Sequence, residues 1–169
     1  MDGSLDRQAF VARFSAVFEH SPWVAERAWG RRPFPTLDSL HKGMMSVVAE
    51  ASAEEKLALV CAHPELAGVE AKEGVLTADS SSEQGRLGFT SLARDEFLKM
   101  QDLNRAYREK FGFPCIVALR LHATRQSVIA EMQRRLGNNA PAELHNALEQ
   151  IGHITRGRLD KLAGEGDRK

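Results

Sequence analysis

Apolar residues recur along almost the whole chain at three- and four-residue steps, the spacing that gathers side chains on one face of a helix. Phe10, Phe14, Val17 and Phe18 make the first such face and predict a helix from about Asp6 to Glu19. Ser21-Pro22 offers a cap followed by proline at the first helical position, so Trp23–Trp29 reads as a short second helix closed by Pro33 and Pro35. Thr36 caps a third that carries Leu37, Leu40, Met44, Val47 and Val48. Ser52-Ala53-Glu54-Glu55 has the form of a capping box ahead of Leu57, Leu59 and Val60.

Periodicity fades after Pro64. The Gly, Ser, Thr and Asp content of Gly68 to Ser82 predicts a loop with room for one helical turn, and a loop of that length in a compact domain is often functional. Regular spacing returns with Leu92, Phe97, Met100, Leu103 and Tyr107, which predict a long helix from Phe89 to Phe111 ended by Gly112. Cys115-Ile116-Val117-Ala118-Leu119 is apolar and rich in β-forming types, and by itself fits either a short strand or a buried helical turn. Thr124 caps another helix through Leu136, stopped by Gly137-Asn138-Asn139, and Pro141 opens a last one that Gly164 ends. No alternating strands support a sheet, so the expected fold is all-α, one domain over residues 1–169 with about seven to nine helices and a flexible tail from residue 162.

Composition narrows the class of function. Hydrophobic residues make up 43% and charged residues 27%, which is ordinary for a soluble globular protein and excludes disorder and collagen. With 23 Lys and Arg against 23 Asp and Glu the chain has no basic field to draw in phosphate backbones or anionic lipids, so no nucleic-acid or membrane partner is expected. Cys61 and Cys115 both stand among apolar neighbours and read as reduced core residues. The acidic start Met1-Asp2-Gly3-Ser4-Leu5-Asp6 does not look like a secretory signal, nor the end Gly166-Asp167-Arg168-Lys169 like a peroxisomal Ser-Lys-Leu address, and the expected compartment is the cytoplasm.

Three segments combine polar chemistry with bends. In Cys61-Ala62-His63-Pro64-Glu65-Leu66 a helix gives way at proline and leaves His63 at a helix-to-loop junction, where an imidazole serves either as a structural cap or in proton transfer. Ser80-Ser81-Ser82-Glu83-Gln84 brings hydroxyls, a carboxylate and a carboxamide together, although Ser80 with Glu83 is also a capping box, which alone would account for both. Leu103 to Pro114 ends an amphipathic helix in Gly112-Phe113-Pro114, a bend whose backbone amides suit a planar polar ligand or a carboxylate. In the last helix Arg156 and Arg158 are either solvated arginines or an anion clamp. Nucleotide loops, HExxH, CxxC and GxSxG are all missing, and Cys61-x-His63 without a second cluster is not a zinc site, so no metal is expected.

In order along the chain these segments read Ala62-His63-Pro64-Glu65-Leu66-Ala67, then Ser80-x-x-Glu83-Gln84, then Leu103-Asn104-x-x-Tyr107-x-x-Lys110-Phe111-Gly112-Phe113-Pro114, then Glu149-x-Ile151-x-x-Ile154-x-x-x-Arg158-Leu159. Together they resemble the 2-oxo-4-hydroxy-4-carboxy-5-ureidoimidazoline (OHCU) decarboxylases, which follow urate oxidase and hydroxyisourate hydrolase on the route from urate to allantoin. The resemblance implies an all-helical, cofactor-independent homodimer with His63 and Glu83 as principal active-site residues. It places Pro64, Ser80, Gln84, the backbone at Ile116 and Val117, and Arg158 around the substrate, with Arg156 close by in sequence. It also implies a functional link to the two upstream enzymes. Cys115, where the family often has an aromatic, and the Gly85-Arg86-Leu87-Gly88-Phe89 stretch are departures that bear on pocket shape. A non-catalytic helical docking module and a hydrolase acting on a neighbouring ureide are the competing expectations.

Overall fold

The structure, a computed structural model, describes residues 5–167. Among these residues there are nine α-helices, one short 3-10 turn and no strand, as the all-α expectation requires. Contacts divide the chain into two compact units, one formed by the residues up to Ala62 together with those from Thr155 on, the other by His63–Ile154. No helix among the described residues is long and apolar enough to cross a membrane.

The first unit contains α1 (Arg7–Phe14), α2 (Trp23–Trp29), α3 (Leu37–Glu50), α4 (Ala53–Cys61) and the end of α9 (Ala140–Asp167). Its helices start where local chemistry says they should. The Asp6 carboxylate accepts from the Ala9 amide at 2.8 Å, Thr36 and Ser39 cap each other's backbone, and Ser52 and Glu55 form the expected reciprocal box. At Ser21 the hydroxyl instead turns back onto the Glu19 carbonyl at 2.8 Å, and α2 begins with no side-chain cap.

The first helix ends five residues earlier than its apolar spacing predicts, at Phe14 and not Glu19, yet Val17 and Phe18 remain in the core at 1% exposure. Val17 lies in the turn beyond the helix end, where its carbonyl accepts from the Arg158 guanidinium at 3.2 Å. His20, at φ 46°, completes that turn.

Gly43 in α3 faces the Phe34 ring, and a Cβ there would lie 2.5 Å from its Cε1. Phe34 is 6% exposed and stacks on Phe10 with centroids 6.3 Å apart, so it has little room to yield. Gly43→Ala is therefore expected to destabilise the protein by about 1–3 kcal/mol despite alanine's better helix propensity, as measured by denaturant unfolding.

The second unit holds α5 (Val69–Glu73), α6 (Ala78–Arg86), α7 (Arg94–Phe111), the 3-10 turn Leu119–Leu121, α8 (Arg125–Arg135) and the first part of α9. The segment expected to be a loop is mostly helical, since α5 and α6 fall within Gly68 to Arg86. The long helix starts at Arg94, five residues after Phe89, because Gly88 at φ 79° turns the chain first. Gly112 ends it in the left-handed conformation at φ 78°, its amide bonded to the Arg108 carbonyl at 2.8 Å. Thr124 caps α8, and Asn139 accepts from the Ala142 amide at the start of α9. Helix α9 runs through Gly164 to Asp167, so residues 162–167 are helical, with 168–169 outside the described residues. A glycine without a competing αL cap weakens a long helix without stopping it.

The two cysteines part company. Cys115 is 3% exposed and burial pushes its thiol up to about 12, whereas Cys61 lies on the exposed side of the last turn of α4 and does not belong to the core expected for it. A neutral maleimide is expected to label Cys61 alone in the native protein, and both thiols after unfolding, as read by intact mass.

Candidate active site

Helix α4 gives out at Ala62, whose amide still reaches the Ala58 carbonyl at 2.9 Å, and Pro64 two residues later bars any continuation. His63 lies in the gap. It is 6% exposed, with Nε2 shielded from solvent. Residues 65–68 then form a tight turn closed by the Gly68 amide on the Glu65 carbonyl at 3.2 Å, with Ala67 in left-handed backbone at φ 51°. That conformation costs a residue with a Cβ about 1–2 kcal/mol, so neighbouring contacts must hold it.

Three carboxamides supply those contacts. Gln84 of α6 accepts from the Ala67 amide through Oε1 at 2.9 Å and donates from Nε2 to the Glu65 carbonyl at 3.3 Å. From α7, Asn104 donates to the Leu66 carbonyl at 2.8 Å and Gln101 to the Ala67 carbonyl at 3.0 Å. Arg108, one turn further along α7, pairs with the Glu65 carboxylate.

Helix α6 presents Ser80, Glu83 and Gln84 at spacings of three and four residues, which puts them on one face. Ser80 is 4% and Gln84 2% exposed, with Glu83 half-buried. The expected Ser80–Glu83 capping box does not form. Thr77 is the N-cap and accepts from the Ser80 amide at 3.3 Å, so Ser80 is already inside the helix. A capping box therefore does not account for that pair of residues. At the other end of α6, Arg86 binds the carbonyls of Leu119 and of His122, the latter at 2.7 Å, and ties the helix to the segment that follows Val117.

Cys115 to Ala118 is neither strand nor helical turn but a single buried irregular stretch, with Ile116 and Val117 at 3% and 4% exposure. No second strand pairs with it, so side chains satisfy its backbone instead: Arg135 donates to the Ile116 carbonyl at 2.6 Å, and Gln150 accepts from the Ala118 amide at 2.9 Å. Arg135 is itself held by Glu143, which is fully buried and receives Arg135 Nε at 3.1 Å, Asn138 and Asn146 each at 2.9 Å, and the Tyr107 hydroxyl. Burial alone would push the Glu143 carboxyl up, but these hydrogen bonds outweigh it and hold the group below the usual range. Burial and the bond to Glu143 push the Tyr107 phenol strongly up, leaving it a neutral donor.

His63, Pro64, Ser80, Glu83, Gln84, Ile116 and Val117 all belong to the second unit, whereas Arg158 belongs to the first. Of the two arginines, Arg158 is the buried one at 4% exposure, with Nη2 2.9 Å from Glu19 Oε2, itself 2% exposed. Arg156 is more open and pairs with Asp38 at 3.0 Å and Asp160 at 3.2 Å. Gln84, expected at a substrate edge, has both ends of its amide engaged by the turn after His63. Sequence reading missed Glu19, Gln101, Arg135 and Glu143. Nothing in their local pattern separates them from solvated polar residues on helices and turns. Asn104 and Tyr107 appeared in a motif but without a task. Among the described residues no three His, Cys, Asp or Glu side chains form a group able to hold a metal ion.

The chain matches the OHCU decarboxylase family over residues 3–160. It is 39% identical over 155 residues to the 2-oxo-4-hydroxy-4-carboxy-5-ureidoimidazoline decarboxylase of Haloferax volcanii, covering 92% of this chain and 89% of that one. It is 38% identical over 158 residues to the uric acid degradation bifunctional protein of Bacillus sp. (strain TB-90), covering 94% of this chain but only 30% of that longer protein. The crystal structure of (S)-allantoin synthase superposes with a TM-score of 0.75 at 29% identity, over 94% of this chain and 51% of that one. A match that takes in nearly every helix and all four motifs leaves one conclusion: the chain belongs to the OHCU decarboxylase family.

Proposed function

We propose that this chain removes CO2 from OHCU to give (S)-allantoin in the breakdown of urate, with His63 as the acid/base and Glu83 orienting the substrate. Family membership supports the reaction. The observation that carries the residue assignment is the Gln84 bridge: Gln84 sits next to Glu83 on α6 and is bonded to Glu65, two residues beyond His63. One side chain therefore couples the imidazole's loop to the carboxylate's helix.

OHCU carries its carboxylate on a carbon that also bears a hydroxyl and adjoins a carbon–nitrogen double bond. When the bond to CO2 breaks, its electron pair flows into that double bond, and the substrate serves as its own electron sink. The protein is left to hold the carboxylate perpendicular to the π system, to exclude water and to deliver a proton. A buried imidazole next to the hydroxyl and ring nitrogen suits the proton step, and delivery to one face sets the chirality of allantoin. Glu83 accepts from ring or ureido N–H groups, with Ser80 beside it on the same helix face. Pro64 is assigned to the wall of the substrate site next to His63. The Ile116 and Val117 amides, in a buried stretch anchored at the Ile116 carbonyl and the Ala118 amide, are assigned to a substrate carbonyl. For Gln84 the direct contact is left to its second amide hydrogen and second oxygen lone pair, the others being engaged by the Glu65 carbonyl and the Ala67 amide.

Arg158 is assigned to the substrate's negative charge, and its pairing with Glu19 suits that role, because a fully uncompensated arginine on the departing carboxylate would stabilise the ground state. The reading needs no cofactor. It places the protein in the cytoplasm as a homodimer, the two free thiols suiting a reducing compartment, and links it functionally to the enzymes that make OHCU, the bifunctional Bacillus relative being the support for that link. Supplied with OHCU generated in place, the protein is expected to release CO2 in step with substrate loss. Release of ammonia or urea instead would assign it to a hydrolase.

A further inference from the structure

We propose that Asn104 is a positioning residue for the reaction, one that sets His63 by holding, from α7, the turn that follows it. The inference rests on the reading of His63 as the acid/base.

Four peptide groups in three consecutive residues are bound by side chains: the Glu65 carbonyl and Ala67 amide by Gln84, the Leu66 carbonyl by Asn104, and the Ala67 carbonyl by Gln101. A turn kept only to reverse the chain leaves its carbonyls to water and places glycine at the left-handed position. Here alanine occupies that position, and the polar groups are gripped by uncharged amides from two different helices. Asn104 is 4% exposed, and its bond at 2.8 Å is the shortest of the four. Between this turn and His63 stands only Pro64, whose ring fixes its own φ and restricts the residue before it. Displacement of the turn therefore passes to the imidazole with little slack. Gln84 locks the same turn to the helix that carries Glu83, and Asn104 and Gln101 lock it to α7, so the imidazole is held from both helices.

A carboxamide is needed at residue 104 because its NH2 must face a carbonyl, which only accepts. Asn104→Asp puts an acceptor against the Leu66 carbonyl, and Asn104→Ala removes the grip. Each variant is expected to lower kcat about 10- to 100-fold with KM within about threefold of wild type, since misplacing a catalytic group by a fraction of an ångström is enough to do so. The His63 ring titration, followed by NMR among the six histidines and assigned with a His63 variant, is expected to move in both. Unfolding curves give the folded fraction at the assay temperature. If Asn104→Ala does not fold, Gln101→Ala, which loosens the neighbouring bond at a half-buried site, is the variant to read. Unchanged kcat with an unmoved His63 titration overturns the proposal, as does a rate that falls only in proportion to the folded fraction. A displaced titration with unchanged kcat upholds the positioning and overturns the role given to His63.

Discussion

Replacing His63 with alanine is expected to lower the turnover of OHCU by about 10²- to 10⁴-fold, the usual contribution of a positioned acid/base, while the protein stays folded. The imidazole, though buried, sits at a helix-to-loop junction, and the turn beyond it is held by bonds to Gln84, Gln101 and Asn104 that do not involve its side chain. Loss of the ring should therefore leave the local backbone in place. His63→Asn, which keeps a polar side chain of similar reach but cannot exchange a proton near neutral pH, is expected to be nearly as inactive. Steady-state kinetics on OHCU made in place checks both variants, with circular dichroism to confirm the fold. Turnover close to wild type in either would remove His63 from the proton step.

The largest expected loss of stability is at Glu143. Its carboxylate is fully buried and satisfies Arg135, Tyr107, Asn138 and Asn146, so Glu143→Ala leaves a buried guanidinium without its counter-charge and several donors without an acceptor. Breaking a buried pair in this way costs about 3–5 kcal/mol, equivalent to a drop in Tm of roughly 10 °C for a chain of this size. The exposed Arg105–Asp102 pair is a fair control, since removing it should change stability by less than about 1 kcal/mol.

The same network predicts how acid affects the fold. The Glu143 carboxyl is held below its ordinary range in the folded protein, so its contribution is complete above the unfolded-state value of about 4.3. That contribution is lost as the pH falls further, through the depressed folded-state value. Wild-type stability should therefore decline below about pH 4, and Glu143→Gln should flatten that part of the profile. Activity should fall along with it, because Arg135 links the network to the Ile116 carbonyl.

Much of this architecture is visible in the amino-acid order because it is decided locally. Thr36, Ser52 and Thr124 each cap the helix that follows, and Gly112 ends α7, through contacts spanning no more than four residues. Local signals fail where two are equally good or where a distant group decides. Thr77 and Ser80 each suit an N-cap, and the structure uses Thr77, which turns Ser80 and Glu83 from an apparent capping box into neighbours on a helix face. Helix α1 stops at Phe14 although its apolar face continues, and the Val17 carbonyl beyond it is met by Arg158, far along the chain. Cys61 and Cys115 have similar neighbours in sequence, and only the facing of the last turn of α4 puts one outside.

The site shows the same division. Its motifs are readable as strings, and His63, Ser80, Glu83 and Gln84 stand out by residue type. What could not be read is which polar residues serve the backbone. Asn104 meets Leu66, and Glu143 meets Tyr107 and Arg135, across separations that no periodic pattern records.

Stereospecific decarboxylation is read most directly from the circular dichroism of the product. OHCU is made from urate by urate oxidase and hydroxyisourate hydrolase, this protein is added without metal or cofactor, and the optical activity of the allantoin is followed in time. Optically active (S)-allantoin is expected to form rapidly, and His63→Ala to abolish the excess of that enantiomer. Racemic allantoin appearing at the spontaneous rate would contradict stereospecific decarboxylation.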